Sequence, residues 1–300
     1  MVTLVVTSSW PRTADPIAGT FIRTDALVRA RHGRVVVAAP SGPGHARGGD
    51  GLVVLDVPHA GLFGTPGAWA RLRARPTRAR GLASFSRAIA AIVREVRPDA
   101  IVAHWLLPAG LIAATLGHPV EAIAHGGDVR LLESMPRSMA RRSLHWLARR
   151  ATLRAVSDGL AERLRALAPG LPLLVAPMPL ADDAVLSAAR VEGARLRRMH
   201  GEDLCVVAAR MIPEKKLERV LPLVNGRRLV LIGDGPAREA LLAAARAASI
   251  DVRALGALPH EQALGWLAAA REVFAPLADG EGAPTVVREA RALGVPVTVL

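Results

Sequence analysis

Arg210-Met-Ile-Pro-Glu-Lys215-Lys216, then Leu231-Ile-Gly233-Asp-Gly-Pro236, then Glu281-Gly-Ala-Pro284-Thr-Val-Val-Arg-Glu289 are the residues that decide how this chain is read. The three groups stand at the ends of expected strands in one alternating β/α block. The first is cationic, the second is a glycine turn, and the third sets two carboxylates across a helix start. Strand ends furnished in this way are how a doubly wound α/β sheet presents a phosphate-bearing ligand.

The rhythm continues outward from that block. Strands are expected at Leu204–Ala208, Arg228–Ile232, Val252–Leu255, Val273–Pro276 and Pro296–Leu300, with helices between them. Upstream they are expected at Val2–Thr7, Arg34–Ala39, Leu52–Val57, Ala100–Ala103, Val120–Ala124, Ala151–Val156 and Leu173–Ala176. Gly19–Ala30, Leu82–Val96 and Val185–His200 read as helices. The strand runs are continuously apolar, which marks parallel sheets buried on both faces. Pro177-Met-Pro-Leu-Ala-Asp-Asp183 breaks the pattern with two prolines and two acids, so domains of 1–180 and 181–300 are expected. The last apolar run reaches Leu300 with no helix to cover it, and the second domain is therefore expected to be truncated at its C-terminal end.

A chain of 300 residues can bury two α/β cores. No apolar run approaches the roughly 18–20 residues of a membrane span, and the first residues lack the basic region of a signal peptide. The single cysteine, Cys205, lies inside Leu204-Cys-Val-Val-Ala-Ala209 and reads as a buried strand residue. That excludes a disulfide framework and fits a reducing cytosol. The net charge of +13 favours anionic partners. Aromatic residues at 3% are too few for base-stacking platforms, which argues against nucleic acid. The chain has no H-E-x-x-H, C-x-x-C or D-x-D, so no metal site is expected, and it has no Walker lysine or G-x-S-x-G elbow.

Candidate site residues follow from position. Arg210 and Lys215 are spaced to clasp a diphosphate, the arginine bidentately and the lysine as a point charge. Lysine occurs only at 215 and 216, in a chain that otherwise writes its basic residues as arginine. Gly233 opens a tight turn that does not match G-x-G-x-x-G, which removes the dinucleotide reading. Pro284 suits a helix start, placing Glu281 in the preceding loop and Glu289 about 7.5 Å along the axis. Two carboxylates so spaced span a ligand instead of flanking one bond, against a glycosidase. The backbone N–H groups of Gly282, Ala283, Pro284-to-Thr285 and Val286 would form the anion-attracting end of that helix. In the first half, Gly19 sits between the first strand and first helix, where backbone approaches phosphate. His125 and Asp128, in His125-Gly-Gly-Asp128, follow a strand end, and so does His104, which reads equally as a structural histidine.

These segments together resemble the retaining glycosyltransferases of family 4, also called glycosyltransferase group 1. The resemblance is carried by Pro16-Ile-Ala-Gly19, His104-Trp-Leu-Leu-Pro-Ala-Gly110, His125-Gly-Gly-Asp128, Arg210 through Lys215, Gly233-Asp-Gly-Pro236, Leu255-Gly256 and Glu281-x7-Glu289. It implies the GT-B fold, two Rossmann-like doubly wound domains facing a cleft, the first on the acceptor side and the second binding the donor. It implies a nucleotide-diphosphate sugar as substrate and no metal or other cofactor. Arg210 and Lys215 would hold the diphosphate, Glu281 the sugar hydroxyls, Glu289 the ribose, and the loop near Leu258 the base. Gly19 would let its loop close over the phosphates, and His125 would lie near the reacting face of the sugar. His104 and Asp128 are candidates for the acceptor side. Lys216 departs from the pattern by standing where glycine commonly follows the lysine.

A cytoplasmic enzyme, peripheral on an anionic membrane face and acting on a glycan or lipid-linked acceptor, is expected. The basis is Arg71, Arg73, Arg75, Arg78 and Arg80 beside Trp69, and a basic helix over Ser138–Ala151 with Leu144, Trp146 and Leu147. Two alternatives stay open: a nucleotide-sugar epimerase of related fold, and a non-catalytic basic module binding membrane or nucleic acid.

Overall fold

Largely apolar runs form two all-parallel sheets in a computed structural model that describes residues 1–11, 18–40, 51–64, 67–277 and 284–300. Those residues pack as two units, the N-terminal strand with Ala18–Pro179 and then Leu180–Leu300. The first unit runs β1 (Val2–Val6), α1 (Thr20–Ala30), β2 (Arg34–Pro40), β3 (Val53–Val57), α2 (Ala68–Ala74), α3 (Arg80–Val96), β4 (Ala100–His104), α4 (Leu111–Ala113) and β5 (Val120–Ala124). It continues with α5 (Gly127–Glu133), α6 (Arg137–Ala148), β6 (Thr152–Ala155), α7 (Asp158–Leu167) and β7 (Leu174–Val175). The second runs α8 (Asp183–His200), β8 (Leu204–Ala208), β9 (Arg228–Ile232), α9 (Arg238–Ala247), β10 (Val252–Gly256), α10 (His260–Ala269), β11 (Glu272–Ala275), α11 (Thr285–Ala292) and β12 (Val297–Val299).

Burial on both faces explains the unbroken apolar runs. Leu4 and Val6 of β1 enter one core cluster and Val5 enters another, on the opposite face. In β8, Leu204 and Val206 point one way and Cys205 and Val207 the other. Cys205 is fully buried, as its apolar run predicts, and burial pushes its thiol up to about 11. Helix periodicity supplies the cover. Phe85, Ile89 and Val93 recur every four residues along α3 and all turn inward. Side-chain caps start two helices, Ser157 accepting from the Leu160 N–H of α7 and Asp182 from the Val185 N–H of α8.

Strand order is β3-β2-β1-β4-β5-β6-β7 in the first sheet and β10-β9-β8-β11-β12 in the second. Each order reverses once, between β1 and β4 and between β8 and β11. A crevice opens at the carboxyl ends of the strands at such a reversal, and ligands bind there. The segment after β8 differs from the helix expected of it: it forms 3₁₀ turns at Pro213–Lys215 and Leu217–Leu223. Pro213 and Pro222 lack N–H groups, and Lys216 between the turns is left-handed at φ 45°, so no α-helix can propagate.

Candidate active site

At the first reversal the exits of β1, β4 and β5 meet. Gly19 caps α1 at φ 74°, and a Cβ there would stand 2.9 Å from the Ser9 carbonyl oxygen, so glycine lets the helix start rest on the β1 exit. At the β4 exit, Trp105 holds φ 73°, a strained value for an indole side chain, which sets its ring 5.2 Å from that of His125. Phe21 of α1 lies 4.9 Å from the same imidazole. The half-buried His125 is thus clamped by two aromatic rings and stacked on His104 at 5.2 Å and 19°.

His104 and Asp128 do not face an acceptor. His104 is 0% exposed; its Nδ1 meets His125 Nε2 at 3.0 Å, and its Nε2 faces Asp25 at 3.4 Å. Asp128 is also buried, accepting from the N–H groups of Leu106 at 2.7 Å and of His125 and Val129 at 3.0 Å. It ties the β4 exit to the β5 exit and so carries His125 in place. Burial pushes its carboxyl above the usual carboxylate range, against the pull of those donors. His104 therefore takes the structural role that the sequence left open, and Asp128 is an inner group: His104 is the last residue of β4 and Asp128 lies in the first turn of α5.

Beneath the imidazoles lies a charged layer not anticipated from the sequence. Asp25 accepts from Arg29 Nε at 2.7 Å, and Arg29 reaches Glu121 at 2.8 Å. Arg154 stands 3.2 Å from Glu121 and 3.7 Å from Asp25. Burial would raise the Asp25 carboxyl, but His104 and Arg29 outweigh it and hold it well below the usual range. Burial also lowers His125 strongly, helped by His104 and Arg154, and lowers His104 despite the pull of Asp25. One sequence signal could have found Asp25. It stands among the inward-facing positions of α1 with Ile22 and Ala26.

At the second reversal, neighbouring strand exits are laced together by backbone. The N–H groups of Ala209, Met211 and Gly233 donate to Ile232, Asp234 and Gly256 at 3.0, 2.9 and 2.7 Å. The glycine turn is what permits this. Gly233 is at φ 123°, and a Cβ would fall 2.0 Å from the Ala209 carbonyl oxygen; at Gly235 it would fall 2.4 Å from that of Met211. Gly233 therefore buttresses the Arg210–Lys215 loop from behind. Arg210 is exposed at the rim. Lys215 is 7% exposed, and its Nζ donates to the Pro276 carbonyl at 3.2 Å, joining the β8 and β11 exits across the reversal.

Glu289 is buried, at 6% exposure, and pairs with His260 Nε2 at 2.6 Å. His260 opens α10 just beyond Leu258, so that loop and the Glu289 helix share a polar contact that spacing alone could not reveal. Pro284 stands at the cap of α11, one residue before the helix, and Thr285 is its first residue. Glu281, Gly282 and Ala283 lie outside the described residues.

The family-model comparison falls on this second unit, and the others reach into the first. Residues 202–299 match the family model described as Glycosyl transferases group 1. TuaC of Bacillus subtilis (strain 168), assigned as a teichuronic acid biosynthesis glycosyltransferase, is 28% identical over 221 residues, 68% of this chain and 53% of its own length. Over residues 202–299 the chain resembles the group 1 glycosyl transferases. It spans about half the length of that curated relative. Anabaena HepE, solved with UDP-glucose, aligns over 100% of this chain and 80% of its own at TM-score 0.71 and 17% identity. UDP-N-acetylglucosamine 2-epimerase from Rickettsia bellii aligns over 99% and 78% at TM-score 0.59 and 10% identity. These likenesses show the fold, the two Rossmann-like units of the GT-B class. The family-model match falls on the unit that holds Arg210, Lys215 and Glu289.

The two basic regions differ in what they leave at the surface. Leu144 and Leu147 of α6 are each 1% exposed, packed into the core, so that helix offers arginines without the apolar face expected of it. Trp69 of α2 and Leu82 of α3 stay 50% and 42% exposed. Among the described residues no helix is long and apolar enough to cross a membrane.

Proposed function

We propose that this chain is a group 1 glycosyl transferase that moves a hexose from a nucleotide-diphosphate sugar to a glycan, lipid-linked or small-molecule acceptor, with retention of anomeric configuration and without a metal. The observation that carries the reading is Lys215. A buried ammonium that bridges the two strand exits at a sheet reversal puts positive charge where a doubly wound sheet receives phosphate. Arg210 adds a second cation at the rim. Together they would neutralise the charge that builds on the diphosphate as its bond to the sugar breaks, the work a metal would otherwise do. Glu281 takes the sugar hydroxyls in this reading and Glu289, held by His260, takes the ribose. The base rests near Leu258, and the backbone at Gly282, Ala283 and Thr285 faces the phosphates. His125 and Gly19 serve the sugar and phosphates from the first unit. The family match and TuaC support transfer over epimerisation, since the fold is common to both.

Incubation with UDP-, GDP- and ADP-sugars, with and without acceptor and chelator, tests this. Expected is an acceptor-dependent product of unchanged anomeric configuration, formed equally in chelator. A new nucleotide sugar made without acceptor would establish the epimerase instead. The stretch that carries the exposed Trp69 with Arg71, Arg73, Arg75, Arg78 and Arg80 would rest on an anionic membrane that presents the acceptor. Equal binding to neutral and anionic vesicles would remove that part.

A further inference from the structure

Asp25 is a 3% exposed carboxylate on the inner face of α1, and the reading above gives it no role. Burying a charge costs several kcal/mol unless it is paired, as this one is. Arg29 Nε lies 2.7 Å from its Oδ2 and Arg154 lies 3.7 Å from its Oδ1, while His104 Nε2 faces Oδ2 at 3.4 Å. Across the same ring, His104 Nδ1 meets His125 Nε2 at 3.0 Å.

Counting protons along this line leaves one arrangement. Asp25, between two guanidinium groups, is ionised and can only accept. The 3.4 Å separation is long for a hydrogen bond, yet among the described residues buried His104 Nε2 has no better partner, so the proton facing Asp25 belongs to the imidazole. Asp25, Arg29, Arg154 and His125 are the groups that face His104. Its burial and the two arginines oppose a second proton, so Nδ1 is a bare acceptor. The proton in the 3.0 Å contact then sits on His125 Nε2, and His125 Nδ1 has none.

We propose that Asp25 acts through His104 as a positioning residue that locks His125 in its Nε2–H tautomer, so that the half-buried ring offers an acceptor nitrogen, Nδ1, to a hydroxyl of the bound sugar. The sugar's part in this rests on the glycosyl-transfer reading; the tautomer does not. Phe21 and Trp105 fix the plane of the ring, and the Asp25–His104 pair fixes which nitrogen is bare.

Long-range ¹H–¹⁵N spectra of the whole chain, labelled at histidine and assigned with His125→Gln, read the tautomer directly. An Nε2–H His125 is expected, and an Nδ1–H form overturns the proposal. Asp25→Asn can donate to His104 Nε2, which reverses both imidazoles and turns His125 Nδ1 into a donor. Its turnover is expected to fall about 10²-fold with the donor KM changed less than about twofold. An unreversed tautomer in that variant overturns the lock. Glu121→Gln removes a carboxylate from the same arginine cluster without touching either ring, and is expected to leave the tautomer as it was. A reversal there equal to that of Asp25→Asn would reduce the line to charge balance and sink the proposal. If Asp25→Asn does not fold, the wild-type spectrum still decides. An Nε2–H His125 in a chain that transfers no sugar keeps the lock and defeats the transfer reading.

Discussion

The two sheets reverse their strand order in the same way, and the crevices at those reversals hold opposite chemistry. In the first unit the cations are neutralised: Arg29 and Arg154 are matched by Asp25 and Glu121 below a pair of neutral imidazoles. In the second the cations stand at the opening, with Arg210 exposed and Lys215 buried against a backbone carbonyl. The fold supplies a crevice, and the residues at the strand ends decide what it attracts. A layer of matched charge suits orienting a neutral polar group, whereas cations at strand exits suit an anion.

The largest test of this contrast is Lys215→Ala. Removing about 3 kcal/mol of stabilisation from the departing diphosphate lowers turnover at least about 10²-fold. Wild-type rates in steady-state assays would erase the difference between the two crevices. Next comes Gly233→Ala, which sets a Cβ against the Ala209 carbonyl at a φ that alanine rarely adopts. A loss of about 2–3 kcal/mol in urea unfolding is expected; a loss under about 0.5 kcal/mol would show that the turn does not brace the Arg210 loop.

Acid separates the units by a smaller amount. His104 and His125 have lowered imidazole values in the folded chain, so below about 6.5 the unfolded chain takes up protons first. Their contribution is complete above that pH and shrinks as pH falls, by about 1–2 kcal/mol by pH 5.5. The lowered Asp25 adds a further loss only beneath the usual carboxylate range. Trp10, Trp105 and Trp146 report on the first unit and Trp266 on the second, so single-tryptophan variants should show the first unit weakening earlier. Simultaneous loss in both would contradict the neutral imidazole layer. The smallest effect is expected of Lys216→Gly, which relieves a left-handed lysine at φ 45° but loosens the unfolded chain. Stability should change by no more than about 1 kcal/mol.

Much of the second unit was legible before any coordinates. Strand ends at Ala208, Ile232 and Ala275 carry their chemistry within a few residues of an apolar run, and local order is enough to read it. The first unit was less so. Asp128 reads as an outward group and His104 could be read either way, yet both are buried, His104 as the last residue of β4 and Asp128 in the first turn of α5. Leu144 and Leu147 read as a lipid-facing stripe, and the core claimed them. His260 and Glu289 lie 29 residues apart and meet through the packing of α10 beside α11.

By itself the sequence determined the parallel α/β class and the cationic, glycine and carboxylate residues that follow the strand runs. Those follow from burial on both sheet faces and from backbone rules, which act over a few residues. Only the tertiary structure decided which groups face which. Asp25 lies 79 residues before His104 and 100 before His125 along the chain, and no periodicity links them. Their line exists because β1, β4 and β5 are neighbours in space, and α1 lays its buried face across their ends.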